Sequence, residues 1–185
     1  MSADESRLLK RARKNDSVAW SLIYELYYPR IYAFMLTRIR DGMLAEDLAA
    51  DVFVNALRAI ETYEERGLAF AAWLYRIAHN RLIDHYRRNG RTGTDSLDEM
   101  DESGDRLADK AIITDGGVDL DRIDLQTAMR LLSAEQQQIV HLRFIEGMTS
   151  DQVAGVMNKT VAAVKIMQHR ALKALKQSLH NPSQP

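Results

Sequence analysis

The chain has 185 residues, 46% of them hydrophobic, with 9 glycines, 3 prolines and no cysteine; this balance favours helix over strand and excludes a disulfide framework or a Cys-ligated zinc site. Residues 1–16 are charged and lack an apolar core of signal-peptide length, and no apolar run reaches the roughly 20 residues needed to span a bilayer, so a soluble, cytoplasmic chain without direct membrane insertion is expected. The formal net charge of −1 conceals a segregation, with Lys and Arg against Asp and Glu giving +3 over residues 1–94, −8 over 95–124 and +4 over 125–185, and basic ends of this kind attract a polyanion even in a nearly neutral chain.

From residue 8 to 88 apolar residues recur at intervals of three and four. The series are Leu22 and Leu26, then Ile31, Phe34, Met35 and Ile39, then Leu48, Val52, Ala56, Leu57 and Ile60, then Phe70, Trp73, Leu74 and Ile77. This spacing predicts a helical bundle with one buried stripe per helix, broken at Tyr28–Pro29, at Asp41–Gly42 and over 64–67.

The helix expected over 45–60 turns Glu46, Asp47 and Asp51 outward and Leu48, Val52 and Leu57 inward. Acids in a first turn oppose the helix dipole favourably, which explains Glu46 and Asp47 structurally. Asp51 lies a turn further on and has no such reason, so the acidic patch reads as a protein-docking surface. The helix expected over 69–88 interleaves Arg76, Arg81, Arg87, Arg88 and Asn80 with Phe70, Trp73, Tyr75 and Tyr86. Cations hold a nucleic-acid backbone while rings receive unstacked bases, which suits a single strand; Trp73 fits that role or a plain core position.

Over 89–119 the periodicity disappears and Gly, Ser, Thr and Asp dominate, as in an acidic flexible linker; 107–113 has the composition for a turn or two of helix. Order is expected again from about residue 120. Ser133 with Gln136 forms a capping-box pattern before Ile139, Val140, Leu142 and Phe144, and Gly147 stands where a C-cap glycine belongs. Thr149 with Gln152 repeats the signature before Val153, Val156 and Met157. After Asn158, Lys159 and Thr160 a third helix is expected over 161–179, with Val164, Met167, Ala171, Leu175 and Leu179 on one face.

A short helix, a tight turn and a longer helix make a helix-turn-helix, with Asn158 as the residue next most tolerant after glycine of the turn's positive φ. Lys165, Ile166, His169, Arg170 and Lys173 then lie on the outward faces, as a reader of the major groove requires. No catalytic apparatus accompanies these features. The five histidines, His79, His85, His141, His169 and His180, include no i, i+4 pair, and no phosphate loop or nucleophile elbow is present. Neither an enzyme nor a metal site is expected, and no cofactor is implied. Two further readings fit the same residues: a stand-alone helix-turn-helix regulator that binds an operator, and a helical adaptor that binds no DNA.

The segments also share a family likeness. Residues 73–80 (WLYRIAHN) and 82–88 (LIDHYRR) resemble the promoter-melting, minus-10-reading segment of extracytoplasmic-function (ECF) sigma factors, group IV of the sigma-70 family. Residues 46–53 (EDLAADVF) and 57–59 (LRA) resemble their polymerase-binding helix, and 132–148 (LSAEQQQIVHLRFIEGM) with the last helix resembles their minus-35-reading domain.

The resemblance implies an all-α fold of two helical domains. A sigma-two domain would occupy 1–90, a flexible acidic linker 91–121, a sigma-four domain 122–180 and a tail 181–185. It implies that Asp47, Leu48, Asp51 and Phe53 dock on core RNA polymerase. The loop 61–68 and the following helix would capture flipped minus-10 bases, with Trp73, Arg76, Asn80, Arg87 and Arg88 nearby. Lys165, Ile166, His169, Arg170 and Lys173 would face the minus-35 element. The partners implied are core polymerase, promoter DNA and a cognate anti-sigma factor, and the acidic linker would thread basic channels of the polymerase. Ile166 and Met167 depart from the polar residue and arginine of many relatives, and Asn158 and Lys159 replace the familiar glycine and hydrophobe, so base preference does not transfer.

Overall fold

The computed structural model describes residues 3–39, 41–64, 69–88 and 128–180, and every described element is helical. The expected linker, the helical stretch 107–113, residues 122–127 and the tail 181–185 lie outside the described residues. The described residues fall into two compact units, 3–88 together with 155–158, and 128–154 together with 159–180; the second unit holds most of the chain after residue 128.

In the first unit, α1 is Ala3–Ala12, α2 Ser17–Ile39, α3 Gly42–Ala59 and α4 Phe70–Arg88, with a 3-10 turn at Ile60–Thr62. The ends of α1, α2 and α3 are written in side chains. Asn15 takes the left-handed conformation with φ 59°, and the Asp16 amide reaches back to the Arg11 carbonyl at 3.3 Å, the six-to-one bond of a Schellman stop. Asp16 then caps α2, accepting from the amides of Val18 at 3.0 Å and Ala19 at 3.1 Å. Arg11 donates to it at 2.7 Å, and that hydrogen bond holds the Asp16 carboxyl below its usual pKa. Asp41 caps α3 through the amides of Met43 and Leu44.

Helices α2, α3 and α4 pack on one another, and α1 lies on α2. The core takes Ile23, Tyr27, Ile31, Phe34 and Met35 from α2, Val52 and Phe53 from α3, and Phe70, Leu74, Tyr75 and Leu82 from α4. Burying an aliphatic or aromatic side chain of this size stabilises by about 1.5–3 kcal/mol. Ala45, Ala49 and Ala56 are fully covered on α3; small side chains at the contact let the neighbouring helices come close. Edge-on aromatic contacts link the helices, Phe34 to Tyr75 at 5.0 Å and Tyr27 to Phe70 at 5.4 Å.

Four expectations need correction. No break occurs at Tyr28–Pro29, because Pro29 lies inside α2. It faces solvent, and so does Glu25, whose carbonyl loses its i+4 helical donor to the proline. The buried stripe of α2 runs through Ile23 and Tyr27, so Leu22 and Leu26 are exposed, and Leu57 on α3 likewise faces out. Finally α3 starts at Gly42, which moves Glu46 and Asp47 out of the first turn and gives the dipole role to Asp41.

In the second unit, α5 is Ala134–Val140, followed by a π-turn at His141–Ile145; α6 is Ser150–Met157 and α7 Val161–His180. Both capping boxes are formed. The Gln136 amide donates to Ser133 Oγ at 3.3 Å and the Ser133 amide to Gln136 Oε1 at 3.0 Å. The Gln152 amide donates to Thr149 Oγ1 at 3.2 Å and the Thr149 amide to Gln152 Oε1 at 2.9 Å. Gly147 has φ +67°, Asn158 has φ 53°, and the Lys159 amide closes a second Schellman stop on the Ala154 carbonyl at 3.0 Å. Thr160 caps α7 through the Ala163 amide. Ala128, Leu132, Val140, Ala171 and Leu175 form one apolar cluster. Phe144, expected inside, is exposed because the π-turn shifts the residues that follow it around the axis.

Two stability changes follow. Pro29→Ala is expected to stabilise the first unit by about 1–3 kcal/mol by restoring a helical hydrogen bond; a urea midpoint that stays put or falls contradicts this. Gly147→Ala should destabilise the second unit by about 1–2 kcal/mol through left-handed strain, since an added Cβ meets nothing within 4 Å. Gly147→Asn should lose less, and equal losses in thermal melts of the two variants would count against strain as the cause.

Candidate nucleic-acid interface

The outward side of α7 carries the expected set. Lys165, His169 and Lys173 follow one another at i, i+4 and i+8, with Ile166 and Arg170 on the adjoining line, and all five are exposed. Val164 and Ala171 are fully covered and Leu175 nearly so. Three cations, one imidazole and one branched apolar side chain thus project from a helix whose opposite side is held in the core. Such a face offers donors to phosphates and guanine edges and an apolar contact for a thymine methyl.

Beneath it lies a residue the sequence reading passed over. Arg143, in the π-turn, donates from Nε to Gln168 Oε1 at 3.0 Å and from Nη1 to the Met148 carbonyl. Lys159, in the turn before α7, pairs with Glu135 at 3.1 Å. At the two ends of the π-turn the covered side chains of His141 and Glu146 lie 3.5 Å apart.

On α4, Trp73, Arg76, Asn80 and Arg87 share one side of the helix at i, i+3, i+7 and i+14. Arg76, Asn80 and Arg87 are exposed, and Ile83 adds an exposed apolar neighbour. Trp73 is half-buried, its ring 5.1 Å from Tyr63 and 5.4 Å from Phe70. It thus belongs partly to the core while leaving an edge open. Arg88 turns away from this line into a groove that Leu48 and Asp51 of α3 line together with Arg81, Asp84 and His85. Arg87 is steadied by Asp84 at 3.1 Å. Of the loop 61–68, residues 65–68 lie outside the described residues.

The charge at the base of α4 has a buried counterpart on α2. The Arg38 guanidinium stacks 3.8 Å above the Phe34 ring and donates to the Phe34 carbonyl at 2.7 Å, with Nε and Nη2 sealed from solvent without an acceptor. Burial pulls its pKa down to about 9, so it remains a cation at neutral pH. Tyr86 of α4 donates to the Arg38 carbonyl at 3.2 Å. The Tyr27 hydroxyl, which donates to Glu5, is driven above the ordinary tyrosine range mainly by burial.

On α3, Glu46, Asp47 and Asp51 are exposed and Leu48 is half-buried in the groove. Phe53 is different: it is 4% exposed and packs on Tyr24 at 4.8 Å and Tyr28 at 5.9 Å. A partner could reach it only by opening the core, so its part is to support the helix. The outward line of α3 is instead Met43, Asp47, Ala50, Val54 and Leu57, spaced four, three, four, three, with Met43 82%, Val54 45% and Leu57 45% exposed. That is the spacing of a seam that packs against another helix. The nearby Tyr28 hydroxyl is pushed up by burial first, then by Tyr24 and Glu46.

The family model for Sigma-70 region 2 matches residues 23–92 and that for Sigma-70, region 4 matches 122–175. The ECF RNA polymerase sigma factor BldN of Streptomyces coelicolor is 31% identical over 94% of this chain, which spans 65% of BldN's length. In fold the chain is similar to the sigma factor RpoE of Bartonella quintana, solved in complex with the anti-sigma factor NepR, with a TM-score of 0.63 at 24% identity, covering 88% of this chain and 98% of RpoE. It is also similar in fold to CnrH, solved with the cytosolic domain of CnrY, with a TM-score of 0.65 at 20% identity, covering 98% of this chain and all 100% of CnrH.

Proposed function

The chain belongs to the ECF sigma factors of the sigma-70 family, and on that premise we propose that it joins core RNA polymerase, directs it to minus-35 and minus-10 promoter elements and promotes strand opening there. The observation that carries the reading is the pairing, within one small unit, of a helix-docking seam on α3 with a basic, partly aromatic line on α4. A stand-alone operator-binding regulator would use α7 and leave both of those faces idle.

The work divides by chemistry. Residues 1–90 dock on polymerase through Asp47, Leu48 and Asp51, joined by Met43, Val54 and Leu57, with Phe53 holding the helix from within. Trp73, Arg76, Asn80, Arg87 and Arg88 meet the melted strand. Unstacking a base costs a few kcal/mol, and stacking and cationic contacts to the extruded bases offset that. The linker 91–121 carries its acids through basic channels of the polymerase. Residues 122–180 read duplex DNA through Lys165, Ile166, His169, Arg170 and Lys173, and 181–185 form a tail. The chain supplies binding energy and specificity in the cytoplasm, and polymerase does the bond making. An anti-sigma factor is the proposed regulator, supported by the partners in the two solved relatives and by the apolar seam of α3, which needs covering when polymerase is absent.

Reconstitution tests this directly. Full-length protein added to core polymerase should initiate from promoter DNA with no other sigma factor present; failure to bind core together with tight binding to free duplex would overturn the reading. Arg170→Ala should weaken minus-35-dependent initiation. Asp51→Ala should weaken core binding and leave promoter preference unchanged.

The seam makes a sharper prediction. Val54→Asp and Leu57→Asp should each reduce core affinity by roughly tenfold or more, since a charge is placed in an apolar helix contact. Because both side chains are exposed, melting temperatures should stay near wild type. Normal core binding by both variants, measured by competition with a labelled sigma factor, would remove the seam from the docking face.

A further inference from the structure

Arg143 joins three segments with one side chain. It rises from the π-turn His141–Ile145, bonds the Met148 carbonyl just before α6, and bonds Gln168 midway along α7. Gln168 is half-buried and sits between half-buried Met167 and exposed His169, at the border of the covered and outward sides of α7. The π-turn is what aims Arg143 inward: its wider closure, with the Glu146 amide on the His141 carbonyl at 3.0 Å, leaves Arg143 partly covered while Phe144 and Ile145 face solvent.

The side of α7 that is buried among the described residues is apolar, chiefly Val164, Ala171 and Leu175. Apolar contact resists separation but has no preferred direction, so it opposes a small rotation or slide of the helix only weakly. A rotation of about 10° moves a side-chain tip by about 1 Å on a helix of this radius, enough to spoil a base-edge hydrogen bond. A guanidinium bonded at two points is directional and charge-assisted, and it does resist such a shift.

We propose that Arg143 is a positioning residue for promoter reading: through Gln168 it fixes the rotation of α7, and so the register in which Lys165, Ile166, His169 and Arg170 meet base edges. The inference rests on the assignment of α7 to duplex reading. It assigns Arg143 no contact with DNA; its effect passes through Gln168.

The test is a double-mutant cycle in holoenzyme made from the full chain and core polymerase, with initiation measured on promoters carrying each single base-pair change in the minus-35 element. Arg143→Ala and Gln168→Ala should each lower discrimination among these promoters by about tenfold, and the double variant should lose no more than either single one. Gln168→Glu, which keeps an acceptor for Nε, should keep discrimination and also guards against a variant that merely misfolds. The slope of log affinity against log salt should not change, because no phosphate contact is removed. Additive losses, full discrimination in Gln168→Ala, or a shallower salt slope in Arg143→Ala with discrimination intact would each overturn the inference, the last by making Arg143 a phosphate contact. A wild-type holoenzyme indifferent to the minus-35 sequence would overturn the assignment of α7 and this inference with it. A discriminating wild type with unaffected variants overturns this inference alone.

Discussion

The first unit depends on how α3 is seated. Phe53 fits against Tyr24 and Tyr28 while Ala45, Ala49, Val52 and Ala56 fill the remaining contact. Turning the helix by one residue, about 100°, would expose Phe53 and drive Glu46 or Asp47 towards the core, where an unpaired carboxylate is strongly disfavoured. With that rotation fixed, Met43, Asp47, Ala50, Val54 and Leu57 face outward together. The proposed docking seam is therefore the reverse side of the aromatic core.

The second unit sets its outward helix by other means. Its helices α5 and α6 span only 7 and 8 residues, too short to persist in isolation, and its cluster is built from small and medium side chains. Ile139, Leu142, Met148, Val153 and Val164 are also buried, and local polar bonds add to them: two capping boxes, left-handed Gly147 and Asn158, the Lys159–Glu135 pair and the Arg143 bonds to Gln168 and Met148. An aromatic core tolerates a helix defect such as Pro29 because many contacts share the load.

What the sequence discloses follows the range of each interaction. A cap or a left-handed stop closes within three to six residues, so Ser133 with Gln136, Thr149 with Gln152, Gly147 and Asn158 were legible before any fold was known. The stop at Asn15 and cap at Asp16 carried the same signal and were there to be read. The α2 stripe was misassigned because Leu22 and Leu26 have the same spacing as Ile23 and Tyr27. Only the direction from which α3 and α4 approach separates them, and that is not local. The same applies to Leu57, to Phe53 and to Pro29, where packing overrides propensity. Arg143 gave no signal at all, since its side-chain partner lies 25 residues away. The outward residues of α4 and α7 were legible because charge seeks water whatever the core does.

The near-zero net charge now has a physical sense. Phosphate contact is blind to sequence, and a strongly basic chain of this size would spread over all duplex DNA. Here the acids of α3 and of residues 95–124 offset the cations of α4 and α7 in the total; of the α3 acids, Asp51 shares a groove with Arg81 and Arg88, while Glu46 and Asp47 are exposed. Under the proposed function, the duplex-reading face and the strand-holding face are carried on one chain seated on polymerase and act at high effective concentration, so affinity rises only where both elements are present at once. On that proposal specificity comes from requiring two readings together, and the angular setting of each reading helix then matters to both.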